Sequence, residues 1–143
     1  MVVLLATLLC FCSCGEITTY DFYVACLSGN EEVVSKFLEG ENIVLELDEQ
    51  SSEKLIKKVQ SVDKNLIFKG DESIFIDNPV AVSILGNNES VTNLLSQKLS
   101  LDYIEEDYSL CVAVKTNNTN MGRILYDNRI FPMKVPRFHM RWR

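Results

Sequence analysis

Histidine and glycine are scarce in this chain of 143 residues, and each shortage narrows what the protein can do. The one histidine, His139, has no second histidine for a metal pair, and no serine or cysteine nucleophile has an evident set of partners. The six glycines are scattered along the chain, so no glycine-rich loop is available to bind a phosphate. We therefore expect no enzymatic activity, no catalytic or metal-binding residues and no cofactor.

Cysteine is too sparse for a disulfide framework. Three of the five cysteines, Cys10, Cys12 and Cys14, lie in the first 14 residues, which leaves only Cys26 and Cys111 in the rest of the chain. These two fall on the predicted inward faces of short helices, where a free thiol behaves as a small hydrophobic group. The spacing C-x-C-x-C has no neighbouring histidine and no distant cysteine pair, so we do not expect a zinc site.

Charge is absent from the first fifteen residues. The stretch from Val2 to Cys12 is apolar apart from Thr7, and the first charged side chain is Glu16. Eleven residues are too few to span a membrane, which takes about 20, but they suit the core of a signal peptide, which has about 7–15. We therefore expect residues 1–15 to be a leader, although no Lys or Arg precedes the apolar stretch. A leader predicts an exported or membrane-anchored protein, and a cytoplasmic protein is the alternative.

Two alternatives to a cleaved signal remain open for these residues. The stretch from Leu8 to Gly15 is similar to the end of a bacterial lipoprotein signal, in which a cysteine after a small residue carries the lipid. Cys14 follows Ser13 and is the candidate for lipidation, which would attach the chain to a membrane. The other alternative is a buried first helix, because the pair Val2–Val3 lies 31 residues before the pair Val33–Val34, as an additional repeat would.

One fifteen-residue pattern occurs three times in the chain. Each copy has a small or apolar run, a glycine or asparagine at the sixth position and an apolar pair near its end. Self-similarity of this kind marks supersecondary units that stack on one another and bury a continuous core. The copies are Val24–Leu38 (VACLSGNEEVVSKFL), Ala81–Leu95 (AVSILGNNESVTNLL) and Val112–Tyr126 (VAVKTNNTNMGRILY).

Each copy predicts two short helices around a tight turn. In the first copy, Phe22 and Cys26 are four residues apart on one helix face, and Gly29 ends that helix with a positive φ. We expect Gly86 and Asn117 to end the first helix of the other two copies in the same way. The second helices are too short to be stable alone and need packing. Their apolar stripes are Val33, Val34, Phe37 and Leu38, then Val91, Leu94 and Leu95, then Met121, Ile124 and Leu125.

The pattern resembles the ankyrin repeat, whose helix pair reads roughly A-A-x-x-G-H-x-E-V-V-x-x-L-L. The family's T-P-L-H opening is missing from all three copies, so the hydrogen bonds made by its Thr and His are not implied here. The resemblance implies a stack of helical hairpins that binds other proteins on a concave face, formed by the first helices and the loops before them. The matching positions are Ala25, Cys26, Gly29, Glu32, Val33, Val34, Phe37 and Leu38, then Gly86, Glu89, Val91, Leu94 and Leu95, then Ala113, Asn117, Asn120 and Leu125.

The gap between the first two copies is longer than one repeat. Gly29 and Gly86 are 57 residues apart, whereas Gly86 and Asn117 are 31 residues apart. Ser51 predicts a helix start, and an amphipathic stripe follows it from Leu55 to Val62. We interpret the segment as a degenerate repeat with an irregular loop, and an insertion that caps the groove is the alternative.

These patterns predict one all-α domain over residues 16–130, between the leader and a C-terminal tail at residues 131–143. The domain is expected to be an ankyrin-like helical-hairpin solenoid of three to four degenerate repeats, with another kind of helical-hairpin array as the alternative. The resemblance places a partner on exposed aromatic and polar residues beside the first helices. The candidates are Tyr20, Asp21, Tyr23, Asp77, Asn78, Tyr108 and Ser109.

Charge is unevenly distributed over the domain and its tail. Residues 1–114 hold 19 acidic and 7 basic side chains, whereas residues 115–143 hold 1 acidic and 7 basic side chains. The acidic body argues against nucleic acid as a partner, and the basic, aromatic tail is an end cap or a docking segment. We expect a non-enzymatic, monomeric interaction module whose partner is another protein. A membrane-anchored lipoprotein or structural envelope component, and a decayed fragment of a longer repeat protein, are the alternatives.

Overall fold

Helices are the regular structure throughout the part of the chain that the structure describes. The computed structural model describes residues 15–62, 78–99 and 109–128, without the side chains of residues 110 and 111. Within these ranges 72% of the residues are helical and no strand is present, which confirms the all-α prediction for them. The predicted tail at residues 131–143 and residues 1–14 of the predicted leader lie outside them. The helices are α1 Thr19–Ser28, α2 Glu31–Leu38, α3 Glu49–Val62, α4 Pro79–Leu85, α5 Glu89–Lys98, α6 Ser109–Lys115 and α7 Thr119–Asp127.

Six of the helices in these ranges form three hairpins, which we call hairpin 1 (α1 and α2), hairpin 2 (α4 and α5) and hairpin 3 (α6 and α7). Hairpin 1 starts with a capping box, in which the Thr18 hydroxyl accepts from the backbone N–H of Asp21 at 3.1 Å. The Asp21 carboxylate accepts in return from the N–H of Thr18 at 3.2 Å. Hairpin 2 starts with Asn78 as cap and Pro79 in the first turn. Both helices therefore start where the sequence satisfies or removes free N–H groups.

The turn inside each hairpin places one residue in the left-handed region of backbone space. This residue is Gly29 with φ 80°, Asn87 with φ 56° and Asn117 with φ 53°. The prediction is confirmed for Gly29 and Asn117 but is wrong for Gly86, whose φ is −78°. The second copy is therefore shifted by one residue. Gly86 is required instead by a close approach, because a Cβ there would overlap the carbonyl oxygen of Leu27.

The residue after each left-handed position is an asparagine that serves both helices of its hairpin. The N–H groups of Asn30, Asn88 and Asn118 donate to a carbonyl five residues earlier, at 2.9, 3.0 and 2.8 Å. The same three residues are the N-caps of the second helices. The side chains of Asn30 and Asn118 accept from the N–H groups of Val33 and Met121. One residue thus closes the first helix and opens the second.

The three hairpins pack side by side in two rows of helices. In the first row α1 contacts α4 and α4 contacts α6, and in the second row α2 contacts α5 and α5 contacts α7. The two helices of each hairpin also contact each other, which joins the rows. Hairpin 2 therefore lies in the middle, with hairpin 1 on one side and hairpin 3 on the other.

The core lies between the two rows and is densest at hairpin 2. All seven residues of α4 are buried, which agrees with a helix that is apolar on every side. Hairpin 1 adds an aromatic contact, in which the rings of Phe22 and Phe37 stack with centroids 4.3 Å apart. The second helices contribute side chains with no exposed surface, which are Val34, Val91, Leu95, Met121 and Leu125.

The segment between hairpins 1 and 2 is an insertion in the part that the structure describes. Because α1 contacts α4 and α2 contacts α5 directly, the described helices leave no place for a further hairpin between them. The interpretation as a degenerate repeat is therefore wrong. The segment supplies α3, which packs on α1 and buries Leu55 and Val59 completely. The predicted apolar stripe of α3 ends before Val62, which is 56% exposed.

Helix α3 starts two residues earlier than predicted, at Glu49. Its cap is Asp48 and not Ser51, because the carboxylate of Asp48 accepts from the N–H of Ser51 at 2.8 Å and from its hydroxyl at 2.9 Å. These hydrogen bonds favour the charged carboxylate, and the one from the backbone N–H contributes most to lowering the pKa of Asp48 below its ordinary value of 3.8.

Candidate interaction surface

Two of the predicted surface residues, Tyr23 and Ser109, are completely buried, and the prediction is wrong for both. The ring of Tyr23 packs edge-on against Phe22 at 5.6 Å, and its hydroxyl donates to the carbonyl of Leu45 at 2.9 Å. The segment that follows hairpin 1 therefore covers the side of α1 that was expected to face solvent. Ser109 opens α6 beside hairpin 2, and its hydroxyl accepts from the side-chain amide of Asn78 at 3.4 Å.

The other described candidates, Tyr20, Asp21 and Asn78, remain at least partly accessible, but each has a structural role. Asp21 is exposed and belongs to the capping box of α1. Tyr20 is half-buried and packs against the core. Asn78 is half-buried, and its side-chain oxygen accepts from the N–H of Val80 at 2.9 Å, which caps α4. These residues hold helix starts in place, and only Asp21 presents its charge to solvent.

The remaining candidates, Asp77, Tyr108 and the lipidation residue Cys14, lie outside the described residues. The same holds for the side chain of Cys111. Among the helices of residues 15–62, 78–99 and 109–128, none is long and apolar enough to cross a membrane.

The expected concave face of first helices is closed at the centre of the protein. Helix α4 has no exposed side chain, so it presents nothing to a partner. On α1, the exposed positions are Asp21 and Ser28 alone, because the loop after hairpin 1 and the helix α3 pack against it. The surface that the resemblance implied is therefore occupied at hairpins 1 and 2 by the protein itself.

Asparagine side chains join the hairpins to each other. The amide of Asn88 donates to the carbonyls of Leu27 at 2.6 Å and Cys26 at 3.1 Å, which ties hairpin 2 to the end of α1. Asn118 donates to the side-chain oxygen of Asn87 at 2.8 Å, across hairpins 2 and 3. Two more bonds run between the same hairpins, from Asn120 to Glu89 and from Asn128 to Asn93. The sequence signal was present, because Asn-Asn doublets occur at residues 87–88 and 117–118.

Six exposed carboxylates follow one another along residues 39–53, which we call the acidic segment. The stretch is held on α1, since the carbonyls of Val44 and Leu45 accept from the hydroxyls of Thr19 and Tyr23, both at 2.9 Å. The side chain of Val44 is 59% exposed in the middle of the segment. No Lys or Arg lies between residues 37 and 53. The carboxylates are Glu39, Glu41, Glu46, Asp48, Glu49 and Glu53.

The thiol of Cys26 is inert rather than catalytic. It has no exposed surface, which confirms its predicted inward position, and burial raises its pKa far above the ordinary value. A neutral, buried thiol is a poor nucleophile and a poor metal ligand. In residues 15–62, 78–99 and 109–128, no group of His, Cys, Asp and Glu side chains is arranged to hold a metal ion.

Comparison with known proteins gives this chain no relative. No protein-family model matches it, and no curated protein or solved structure is significantly similar to it. Its function is therefore inferred from its own packing and its own surface.

Proposed function

We propose that this chain is a non-enzymatic protein–protein interaction module, built as an ankyrin-like stack of helical hairpins. The observation that carries the proposal is the packing of three hairpins in two continuous rows, with side-chain bonds from each hairpin to the next. Such stacks present long surfaces of loops and helix faces, and repeat proteins use these surfaces for binding. The resemblance to the ankyrin repeat points to the same class of function.

The partner surface that we propose is the acidic segment, in place of the closed first-helix face. The segment is anchored on α1 by two hydrogen bonds, so its carboxylates have a defined support. It combines negative charge with an exposed aliphatic side chain, Val44. This combination fits a basic protein segment that also carries an apolar residue. Its negative charge would repel the phosphates of a nucleic acid.

The test is to recover partners with the tagged full chain from the cells in which it occurs, and to identify them by quantitative mass spectrometry. The wild-type chain should retain at least one protein with a basic surface, and added salt should weaken the retention because exposed charges are screened. The double variant Glu41→Gln and Glu46→Gln should lose that protein, because it removes two carboxylates that flank Val44.

The matched control is the double variant Glu31→Gln and Asp127→Asn, which removes two exposed carboxylates outside the acidic segment. It should retain the partner as the wild-type chain does. Equal loss from both double variants would show that the acidic segment is not the partner surface. If the wild-type chain retains no protein above background, the proposed function itself is wrong.

A further inference from the structure

Hairpin 1 has an open groove of about 470 Å³ on its outer side, which we call the end groove. Four residues of α1 line it at spacing i, i+3, i+4 and i+7, so they share one face of the helix. This face carries Val24 and Ala25 in its centre, with Asp21 and Ser28 at its two ends. Val33 of α2 adds a second, half-buried aliphatic side chain. The groove therefore has an apolar floor and polar rims.

The same helix face is covered in hairpin 2. The left-handed turn residues Gly29 and Asn87 set the register, so Asp21, Val24, Ala25 and Ser28 correspond to Pro79, Val82, Ser83 and Gly86. In hairpin 2, Val82 and Ser83 have no exposed surface, and the backbone at Gly86 lies against the carbonyl of Leu27 in α1. The face thus packs on a preceding helix in hairpin 2. In hairpin 1 it is the free half of the same kind of contact.

One segment of the chain reaches this groove by its own connectivity. Gly15, Glu16 and Ile17 line the groove, so the residues before them enter the protein at its edge. Residues 2–12 are apolar apart from one threonine and carry no charge. As a helix, these eleven residues would be about 16 Å long, which matches the ten residues of α1 at about 15 Å.

We propose that residues 2–12 bind in the end groove as a helix and pack on α1 as α1 packs on α4. In that position they close the stack at its first hairpin, which is the role of a capping unit in a repeat array. This assignment differs from the cleaved leader that the sequence alone predicts, because it makes the apolar stretch part of the folded protein. It does not depend on the proposed partner or on the acidic segment.

Disulfide trapping tests the proposal in the full chain, purified without detergent and confirmed by mass to retain residue 2. The test variant combines Cys14→Ser with Ser28→Cys, so that only Cys10 and Cys12 can report on the docked segment. Ser28 is exposed at the rim of the groove, so its replacement leaves the core intact. Under mild oxidation with glutathione disulfide, a link from Cys10 or Cys12 to position 28 should form within one chain.

The control variant combines Cys14→Ser with Ser90→Cys, which places an equally exposed thiol on hairpin 2. Links to position 28 should form about tenfold faster than links to position 90, because docking raises the local thiol concentration. Equal rates at the two positions would overturn the proposal. Links between two chains would also overturn it, since they would assign the groove to a second copy.

Amide hydrogen exchange gives a second measurement that needs no added cysteine. The variant Leu5→Asp and Leu8→Asp places two charges in the segment that we assign to the groove. Exchange in residues 21–28 should become faster, while exchange in α7 should stay as in the wild-type chain. Unchanged exchange in residues 21–28 would contradict the docking of residues 2–12.

Discussion

Two glycines that look equivalent in the sequence have opposite environments in the fold. A Cβ at Gly86 would overlap the carbonyl of Leu27, whereas a Cβ at Gly122, inside α7, would meet no described atom within 4 Å. We expect Gly86→Ala to lower the free energy of unfolding by about 1–3 kcal/mol, because backbone must move to admit the methyl group. We expect Gly122→Ala to raise it by about 0.5–1 kcal/mol through helix propensity.

Urea denaturation of both glycine variants checks this pair. Opposite shifts of the two midpoints relative to the wild-type chain are the expected result. If Gly86→Ala is as stable as the wild-type chain, the close packing of hairpin 2 on the end of α1 is not present as described.

The cap of α3 predicts a dependence of stability on pH. The folded-state pKa of Asp48 lies below its ordinary value of 3.8, because the N–H of Ser51 donates to its charged form. The stabilisation is therefore fully present above pH 3.8 and is lost as the pH falls through the folded pKa. The variant Asp48→Asn keeps an oxygen for the Ser51 N–H but does not titrate, so it should lose less stability in acid.

The measurement is the urea midpoint of the wild-type chain and of Asp48→Asn at neutral pH and near pH 3. The wild-type chain should have the larger drop between the two conditions. A drop of equal size in both proteins would mean that Asp48 does not contribute its charge to the cap.

At the level of helices, the second helix of each hairpin is held by a small number of buried side chains. Leu95 of α5 has no exposed surface, whereas Leu38 at the end of α2 is only partly buried. We expect Leu95→Ala to cost about 2–5 kcal/mol, as full burial implies, and Leu38→Ala to cost less than half as much. Thermal unfolding of the two variants makes the comparison, and equal losses would show that α2 and α5 are packed alike.

The sequence pattern was sufficient to predict the helices of the three hairpins but not their common register. The pattern could not separate Gly86 from Asn87 as the left-handed residue, because both residue types tolerate positive φ. What decides the register is the approach of Gly86 to Leu27, a contact between residues that are far apart in the sequence. Local periodicity contains no information on such a contact.

The candidate surface was less predictable than the helices, for a related reason. Tyr23 and Ser109 were assigned to the surface from their positions in the repeat, but both are buried by neighbouring segments. Tyr23 is covered by the loop that contains Leu45, which the repeat pattern does not include. The acidic segment could be recognised from composition alone, but its attachment to α1 through Thr19 could not.

Over the whole molecule, stability should decrease from the middle hairpin toward hairpin 3. Helix α4 contacts α1, α5 and α6, whereas among the described helices hairpin 3 is packed against hairpin 2 alone. In a stack of this kind, stability is close to a sum of hairpins and interfaces. We expect the slowest amide hydrogen exchange in α4 and faster exchange in α6 and α7, which exchange followed by mass spectrometry resolves. Identical protection of hairpins 2 and 3 would show that the described helices unfold as one unit.

The insertion also has a consequence for the order in which the molecule assembles. Hairpins 2 and 3 are joined by contacts such as Asn118 to Asn87, 31 residues apart, whereas Asn88 reaches Leu27 across 61 residues. Each doubling of a closed loop adds about 0.6 kcal/mol to its entropic cost. Hairpins 2 and 3 should therefore meet first during folding, and hairpin 1 should join them later. Pulse labelling during refolding would then show protection in α5 before α1, and simultaneous protection would rule out this order.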